Sequence, residues 1–275
     1  MVWNGVFTQS FNVDNGVRQG GIVSPVLYCV YLDGLLQRLR NSGVGCYIGN
    51  VFVGALAYAD DVALLAPTAS AMRKLLRICE NYGTEYSVVF NASKSVWLYF
   101  ARRARPLYGN VQFYIDDKEI SFVTQYTHLG HVISADMNNR HDIMSRRNSV
   151  CGKLNNLLCY FWKCDPFVKL RLLRNFCCDF YGSYLWDLSH SSIEELSTAR
   201  RKGLRRLWRL PHRTHNIMLA PLCSMLPLDY ELMCRCAKFI NNCLISCNDL
   251  VSFVARNGIL FNECFSHRTQ CSEML

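Results

Sequence analysis

Residues 55–66 read ALAYADDVALLA, with two aspartates side by side inside an apolar run. Val51, Val53, Ala55, Ala57, Val62, Leu64 and Leu65 flank the pair. A carboxylate buried without a partner neutralises or is excluded, so Asp60 and Asp61 demand a turn, a cation, or both. The Val, Ala, Leu and aromatic residues of 45–67 read as two strands meeting at a turn on the aspartates. Such a turn lifts both carboxylates out of the apolar strands and aims them at solvent or at a metal. An exposed Asp-Asp turn without chemistry is the plain alternative, and these residues alone do not decide between the two.

The neighbouring segments fit a mixed fold. VLYCVYLDGLLQRLR (26–40) carries apolar residues at helical spacing after a Ser24–Pro25 start signal. SAMRKLLRICENYGTEY (70–86) has the same periodicity, with Ser70 as the expected N-cap. SVVFNASKSVWLYF (87–100), VQFYI and HVI read as further strands. A boundary is expected near 135–140. From Arg140 onward the chain reads as successive helices separated by Pro166, Pro211, Pro221 and Pro227. The fold class is therefore α+β, with an antiparallel sheet and helices over 1–135 and an all-helical region over 136–275.

A length of 275 residues, 51% of them hydrophobic, allows one large or two modest domains with a substantial core. No apolar run reaches the ~18 residues of a membrane span, and MVWNGVFTQS has none of the features of a signal peptide. A cytoplasmic or nuclear location with no membrane partner is the resulting expectation. The 15 cysteines are odd in number and irregularly spaced, which predicts mostly reduced, buried thiols. Charge is uneven: residues 1–135 hold 11 Lys and Arg against 9 Asp and Glu, and residues 136–275 hold 19 against 12. The second half thus carries +7, which points to a polyanionic partner.

Ordered blocks then add up to a resemblance. GVRQGGIVSP (16–25), YADD (58–61), NASKSVWLYF (91–100), THLGHVIS (127–134), and RKGLRRLWRLPHRTHNIMLAPL (201–222) with LPLDYEL (226–232) follow one another along most of the chain. In that order they resemble the reverse transcriptase, an RNA-directed DNA polymerase, of non-LTR (LINE-type) retrotransposons of the jockey or CR1 kind. The resemblance implies a partial polymerase palm over 1–135 and a thumb-like helical region over 136–275. It also implies Mg2+, with Mn2+ as the alternative, and as partners an RNA template, a DNA primer and deoxynucleoside triphosphates.

Roles follow from the matched positions. Asp60 and Asp61 would be the catalytic metal ligands. Lys94 would stand near the pyrophosphate, where an ammonium stabilises a leaving group; a solvated surface lysine is its alternative. Arg18, Gln19 and Gly20 would line the pocket for template base and nucleotide, an ion pair at the surface being the alternative for Arg18. His128, Leu129 and Gly130 would turn the hairpin that grips the primer.

The family also carries an aspartate on a separate strand, in a block of the F-x-D-x-x-x-A-F kind upstream of RQG. None of the residues before Gly16 reproduces that block, and neither Asp14 nor Asp33 stands where the ligand belongs. The expectation is a truncated polymerase, inactive alone, with apolar surface exposed where the missing strand would pack. A non-catalytic nucleic-acid-binding remnant of a mobile element is the alternative.

ARRKGLRRLWRLPHR (199–213) holds seven Lys and Arg and no acid. At helical spacing Leu196, Ala199, Gly203, Leu207 and Leu210 make an apolar stripe, Arg201, Lys202, Arg205, Arg206 and Arg209 occupy the rest, and Pro211 ends the helix. Such a face binds phosphates, an anionic membrane, or water; beside a polymerase palm, contact with the nucleic-acid backbone is favoured. Cys243, Cys247, Cys264, His267 and Cys271 fit no trusted zinc spacing, so buried thiols are favoured over a metal. His212 and His215 read as surface residues.

Overall fold

The computed structural model describes residues 2–7, 20–100 and 111–261. Contacts divide the chain into two compact units, one of residues 1–97 and 107–122, the other of residues 98–106 and 123–275. The hairpin over 125–134 falls with the helical unit.

In the first unit, β1 (Val2–Trp3) and β2 (Val6–Phe7) pair antiparallel and precede α1 (Ser24–Asn41). Pro25 sits in the first turn of α1, where its missing N–H costs nothing. Leu32, Leu35 and Leu39 line the buried face of that helix. β3 (Tyr47–Ile48) pairs with β4 (Val51–Phe52), and β5 (Ala55–Tyr58) with β6 (Asp61–Leu64). α2 (Ala69–Tyr86) follows, and its cap is Thr68, whose hydroxyl accepts from the Ala71 amide at 3.1 Å. Ser70, expected in that role, lies inside the first turn; Thr68 caps because its backbone is still extended. Leu75, Cys79 and Tyr82 of α2 close on the leucines of α1, with Ala55, Val62 and Leu64 packed against them. Each fully buried leucine contributes about 1.5–3 kcal/mol to that core. Arg38 of α1 also grips Glu85 of α2 through both terminal guanidinium nitrogens, at 2.7 and 3.0 Å.

β7 (Val96–Trp97) pairs parallel with β10 (Ser121–Phe122), and β8 (Tyr114–Ile115) antiparallel with β9 (Lys118–Glu119). The mixed helix and strand content agrees with the expected class. The sheets do not: among the described residues every one is two-stranded, because the strands are only two to four residues long. Of the segment 87–100, only Val96–Trp97 is strand.

The second unit opens with β11 (Gln125–His128) and β12 (His131–Ser134) and continues with α3 (Arg140–Tyr160). α4 (Pro166–Leu172) begins at its proline, capped by Asp165, and runs into a π turn over Leu173–Cys177. A short 3-10 turn over Ser183–Leu185 leads to α5 (Ser192–Leu207), α6 (Asn216–Leu222), α7 (Leu228–Leu244) and α8 (Asp249–Phe261). Pro221 separates nothing; it lies inside α6. The core gathers Ile143 and Leu154 of α3, Leu196 and Leu207 of α5, Leu232 of α7, and Phe180 and Trp186 from the segment between α4 and α5.

α5 realises the expected stripe, with Leu196, Ala199, Gly203 and Leu207 buried and Leu210 packed against the core. It ends before Pro211. The Leu210 amide bonds the Arg205 carbonyl and the Arg209 amide the Arg206 carbonyl, around Arg209 at φ +53. That pattern is a Schellman closure with arginine where glycine is usual.

No disulfide joins the described cysteines. Cys79, Cys177, Cys178, Cys223 and Cys236 are buried as expected, but Cys29, Cys159, Cys234 and Cys247 are exposed. No described helix is long and apolar enough to cross a membrane.

Candidate functional site

The β5–β6 hairpin resolves the problem posed by its two aspartates. Tyr58 faces Asp61 across the last rung, leaving Ala59 and Asp60 as a two-residue loop. Ala59 takes φ +51, the left-handed conformation that a tight hairpin loop requires. Ala55, Val62 and Leu64 turn one face of the hairpin to the core, while Leu56, Tyr58 and Asp61 leave the other exposed. Both carboxylates are exposed, and neither pairs with a cationic side chain among the described residues. Asp60 nonetheless has a neighbour on α1. The Tyr28 phenol is pushed up, first by burial and then by the negative charge of Asp60.

Two exposed hard-oxygen donors are the protein's usual share of a Mg2+ site, which keeps several waters. Among the described residues no group of three or more His, Cys, Asp or Glu comes together as a metal cluster. Asp33, on α1, does not join the hairpin pair in such a group.

Beside this hairpin α1 leaves Val26, Leu27 and Val30 exposed, as are Val23 just before it and Leu56 and Tyr58. Gly20 stands just before α1 at φ +81, exposed and with open space around it. Arg18 and Gln19 lie outside the described residues. Lys94 is exposed in the turn between α2 and β7, its amide bonded to the Asn91 carbonyl at 3.1 Å.

In the second unit the β11–β12 hairpin has the same plan. His128 pairs with His131 around Leu129 and Gly130, at φ +47 and +75. Two positive φ values make the mirror-image turn that matches strand twist, here with leucine at a position that favours Asn, Asp or Gly. The Arg146 guanidinium donates to the Gly130 carbonyl and lies over the Tyr181 ring, 5.5 Å from its centre. Below the turn, the Asp142 carboxylate is almost wholly buried. Its Oδ1 accepts from the Val132 amide at 3.0 Å and its Oδ2 from the Trp186 indole at 2.6 Å. His131 Nδ1 stands 3.1 Å from Oδ2, a close electrostatic contact poorly aligned for a hydrogen bond. Burial acts to raise the Asp142 pKa, but His131, the Val132 amide and Trp186 together hold it below the usual carboxylate value.

Residues 2–133 match the sequence model of the reverse transcriptase (RNA-dependent DNA polymerase) family. This segment is a reverse transcriptase domain. Its relatives are encoded by mobile elements. The chain is 24% identical over 207 residues to the RNA-directed DNA polymerase from mobile element jockey of Drosophila funebris, covering 71% of this chain and 22% of that protein. It is 33% identical over 91 residues to the Pol polyprotein from the type-2 retrotransposable element R2DM of Drosophila melanogaster, covering 33% of this chain and 8% of that protein. It is 27% identical over 202 residues to a putative 115 kDa protein in the type-1 retrotransposable element R1DM of the same species, covering 69% of this chain and 18% of that protein. The chain thus spans less than a quarter of each relative's length. Taken together, these matches assign the reverse transcriptase to a LINE-type, non-LTR element.

The basic helix α5, beyond the span of the reverse transcriptase match, is more committed internally than its sequence suggests. Arg201 pairs with Glu194 and donates to Ser197 Oγ at 2.8 Å and Thr198 Oγ1 at 2.9 Å. Arg205 donates to the Thr214 carbonyl at 2.8 Å and to Asn216 Oδ1 at 2.5 Å, anchoring the loop before α6. Arg206 donates to Asn155 Oδ1 on α3 at 2.7 Å. Lys202 and Arg209 are exposed, without such a partner among the described residues. Arg200, unremarked among so many arginines, is buried and meets Glu231 of α7 at 3.0 Å.

Sequence reading also missed Asp142, His131, Trp186, Arg146 and Tyr181. An acid in the first turn of a helix reads as a complement to the helix dipole, which hides the role of Asp142. Cys243 is half-buried and Cys247 exposed, while Cys264, His267 and Cys271 lie outside the described residues. His212 is exposed, as expected, and His215 accepts from the Ile217 amide to cap α6.

Proposed function

We propose that this chain carries the hairpin-bearing part of an RNA-directed DNA polymerase. In the intact parent the reaction is templated addition of a deoxynucleotide to a primer 3′ hydroxyl, with an RNA template. The observation that carries the reading is the exposed Asp60–Asp61 turn inside the segment that matches the family. Residues 1–135 would act as palm and 136–275 as a thumb-like region.

Asp60 and Asp61 would hold Mg2+, or Mn2+ as the alternative. When bound, a pair of such cations lowers the cost of charge on attacking and leaving oxygens. The chain's own residues do the rest. Gly20, with Arg18 and Gln19, would let template base and nucleotide approach the backbone closely. Lys94 would offset charge on the departing pyrophosphate. His128, Leu129 and Gly130 would contact the primer. Lys202 and Arg209, with Arg201, Arg205 and Arg206 in support, would face the nucleic-acid backbone.

A two-metal site needs carboxylates beyond one hairpin. No F-x-D-x-x-x-A-F block occurs in the sequence, and no cluster of three candidate ligands forms among the described residues. The chain by itself is therefore proposed to be inactive. The +7 charge of its second half supports the other reading, a non-catalytic binder of nucleic acid. Primer extension by the purified chain on an RNA template with Mg2+, beside Asp60→Ala, tests the proposed inactivity. No synthesis is expected. Synthesis that disappears in Asp60→Ala would show that another carboxylate completes the site.

A further inference from the structure

The buried carboxylate under the β11–β12 hairpin does more than fill a gap in the core. A cleft of about 510 Å³ opens between this hairpin and the first turns of α3, lined by Gln125, Tyr126, Thr127, Val132, His141 and Ser145. Asp142 does not line the cleft; it is buried behind it and braces both walls. Its sequence neighbour His141 and Ser145, one turn on, form the helical wall, and its Oδ1 holds the amide of Val132 on the strand wall. Oδ2 is taken by Trp186, so the loop carrying Trp186 is tied to the same carboxylate. Gly182 on that loop lies so close that a Cβ there would stand 2.9 Å from His131 Nδ1.

A buried charge is a poor device for stability alone, since apolar packing of the same volume serves as well. It is a good device for fixing one geometry, because its oxygens accept only from donors set at particular places. We propose that Asp142 is a positioning residue that pins hairpin β11–β12 to α3 and so sets the width of a cleft that takes the sugar–phosphate strand of a nucleic-acid primer. The inference rests on reading the 125–134 hairpin as a primer-contacting element.

The test is fluorescence anisotropy of a labelled RNA-template/DNA-primer duplex with the full 275-residue chain. Asp142→Asn sets an N–H against a donor and so frees the hairpin from α3; about tenfold weaker binding is expected, equivalent to about 1.4 kcal/mol. The slope of log Kd against log salt stays as in the wild type, because no phosphate contact is removed. A purely structural role would lower Tm and leave the affinity of the folded protein alone, as Leu232→Ala is expected to do. Trp186→Phe keeps the charge and loses one donor; a smaller loss of affinity at unchanged salt slope is expected, and it stands in if Asp142→Asn does not fold.

Wild-type affinity in folded Asp142→Asn, or in Trp186→Phe where that variant stands in, overturns the proposal. If His141→Ala and Ser145→Ala weaken binding while Asp142→Asn does not, the cleft reading stands and the pin alone falls. If the wild type binds but no cleft variant changes affinity, the primer reading of the hairpin falls too. Absence of any binding by the wild type overturns both.

Discussion

The ion pair between α5 and α7 is asymmetric, and the asymmetry predicts which partner matters. The Arg200 side chain is 4% exposed and Glu231 is 24% exposed. Glu231 has a second cation, Arg235, at 3.2 Å one turn along its own helix. Arg200→Met therefore leaves a carboxylate that still has Arg235 and water, and the methionine fills much of the space of the arginine stem. Its cost is about 0–1 kcal/mol, the scale of a part-exposed pair. Glu231→Met leaves the guanidinium buried without the counter-charge that stands 3.0 Å from it. Breaking a fully buried pair in this way costs about 3–5 kcal/mol; with Glu231 partly solvated, about 2–4 kcal/mol is expected. The double variant, apolar on both sides, recovers most of that loss. Urea unfolding of the full chain followed by far-UV circular dichroism measures all three. Equal losses from the two single variants, or a larger one from Arg200→Met, would refute the reasoning, because they would mean that the guanidinium finds solvent or another acceptor.

Three further outcomes are expected. Asp142 is held below the usual carboxylate pKa, so its contribution is present above the unfolded value of about 3.9 and lost as pH falls through the lower native one. Acid unfolding should accordingly be shallower in Asp142→Asn; Glu85 and Asp136, lowered chiefly by Arg38 and Ser134, keep some acid sensitivity in the variant. Cys79 and Cys178, pushed up to about 12 and about 11 by burial, should resist a thiol reagent at mild pH while exposed Cys29, Cys159, Cys234 and Cys247 react; equal labelling of all six by mass spectrometry would contradict the packing. Arg209→Gly removes a side chain from a left-handed position, so the midpoint of urea unfolding should rise by the equivalent of about 0.5–1 kcal/mol, and a fall would show that the arginine is not strained there.

How much of this was legible in the sequence depends on whether a residue acts through its neighbours in the chain or through distant ones. The Asp60–Asp61 hairpin could be read because alternation and turn chemistry are local: Ala55, Val62 and Leu64 turn inward and the aspartates fall at the loop. The stripe of α5 could be read for the same reason. The capping of α2 by Thr68 and not Ser70 lay two residues from its expected place, since both are hydroxyls and only backbone conformation separates them. The sheet pairing was less legible, because a strand of two residues has no periodicity to detect.

The charged residues of α5 mark the limit more sharply. From composition, Arg200, Arg201, Lys202, Arg205, Arg206 and Arg209 are one basic face. In the structure, Glu194, Glu231, Asn155, Thr214 and Asn216 sort them, and these partners lie up to 51 positions away in sequence. A guanidinium already held by a carboxylate or by fixed carbonyls gives up those bonds before it meets a phosphate, which reduces what the new contact contributes. The proposed backbone contact therefore has an internal order. Lys202→Gln and Arg209→Gln should each lower duplex affinity and reduce the salt slope by about 0.7–0.9, the value of one phosphate contact. Arg205→Gln should act mainly on stability, by freeing the loop before α6, and leave the slope nearly unchanged. The measurement is the anisotropy titration repeated at several salt concentrations. If Arg205→Gln lowers the slope as much as Lys202→Gln does, the internal bonds of Arg205 do not persist when the duplex binds, and the whole basic face acts as its composition alone suggests.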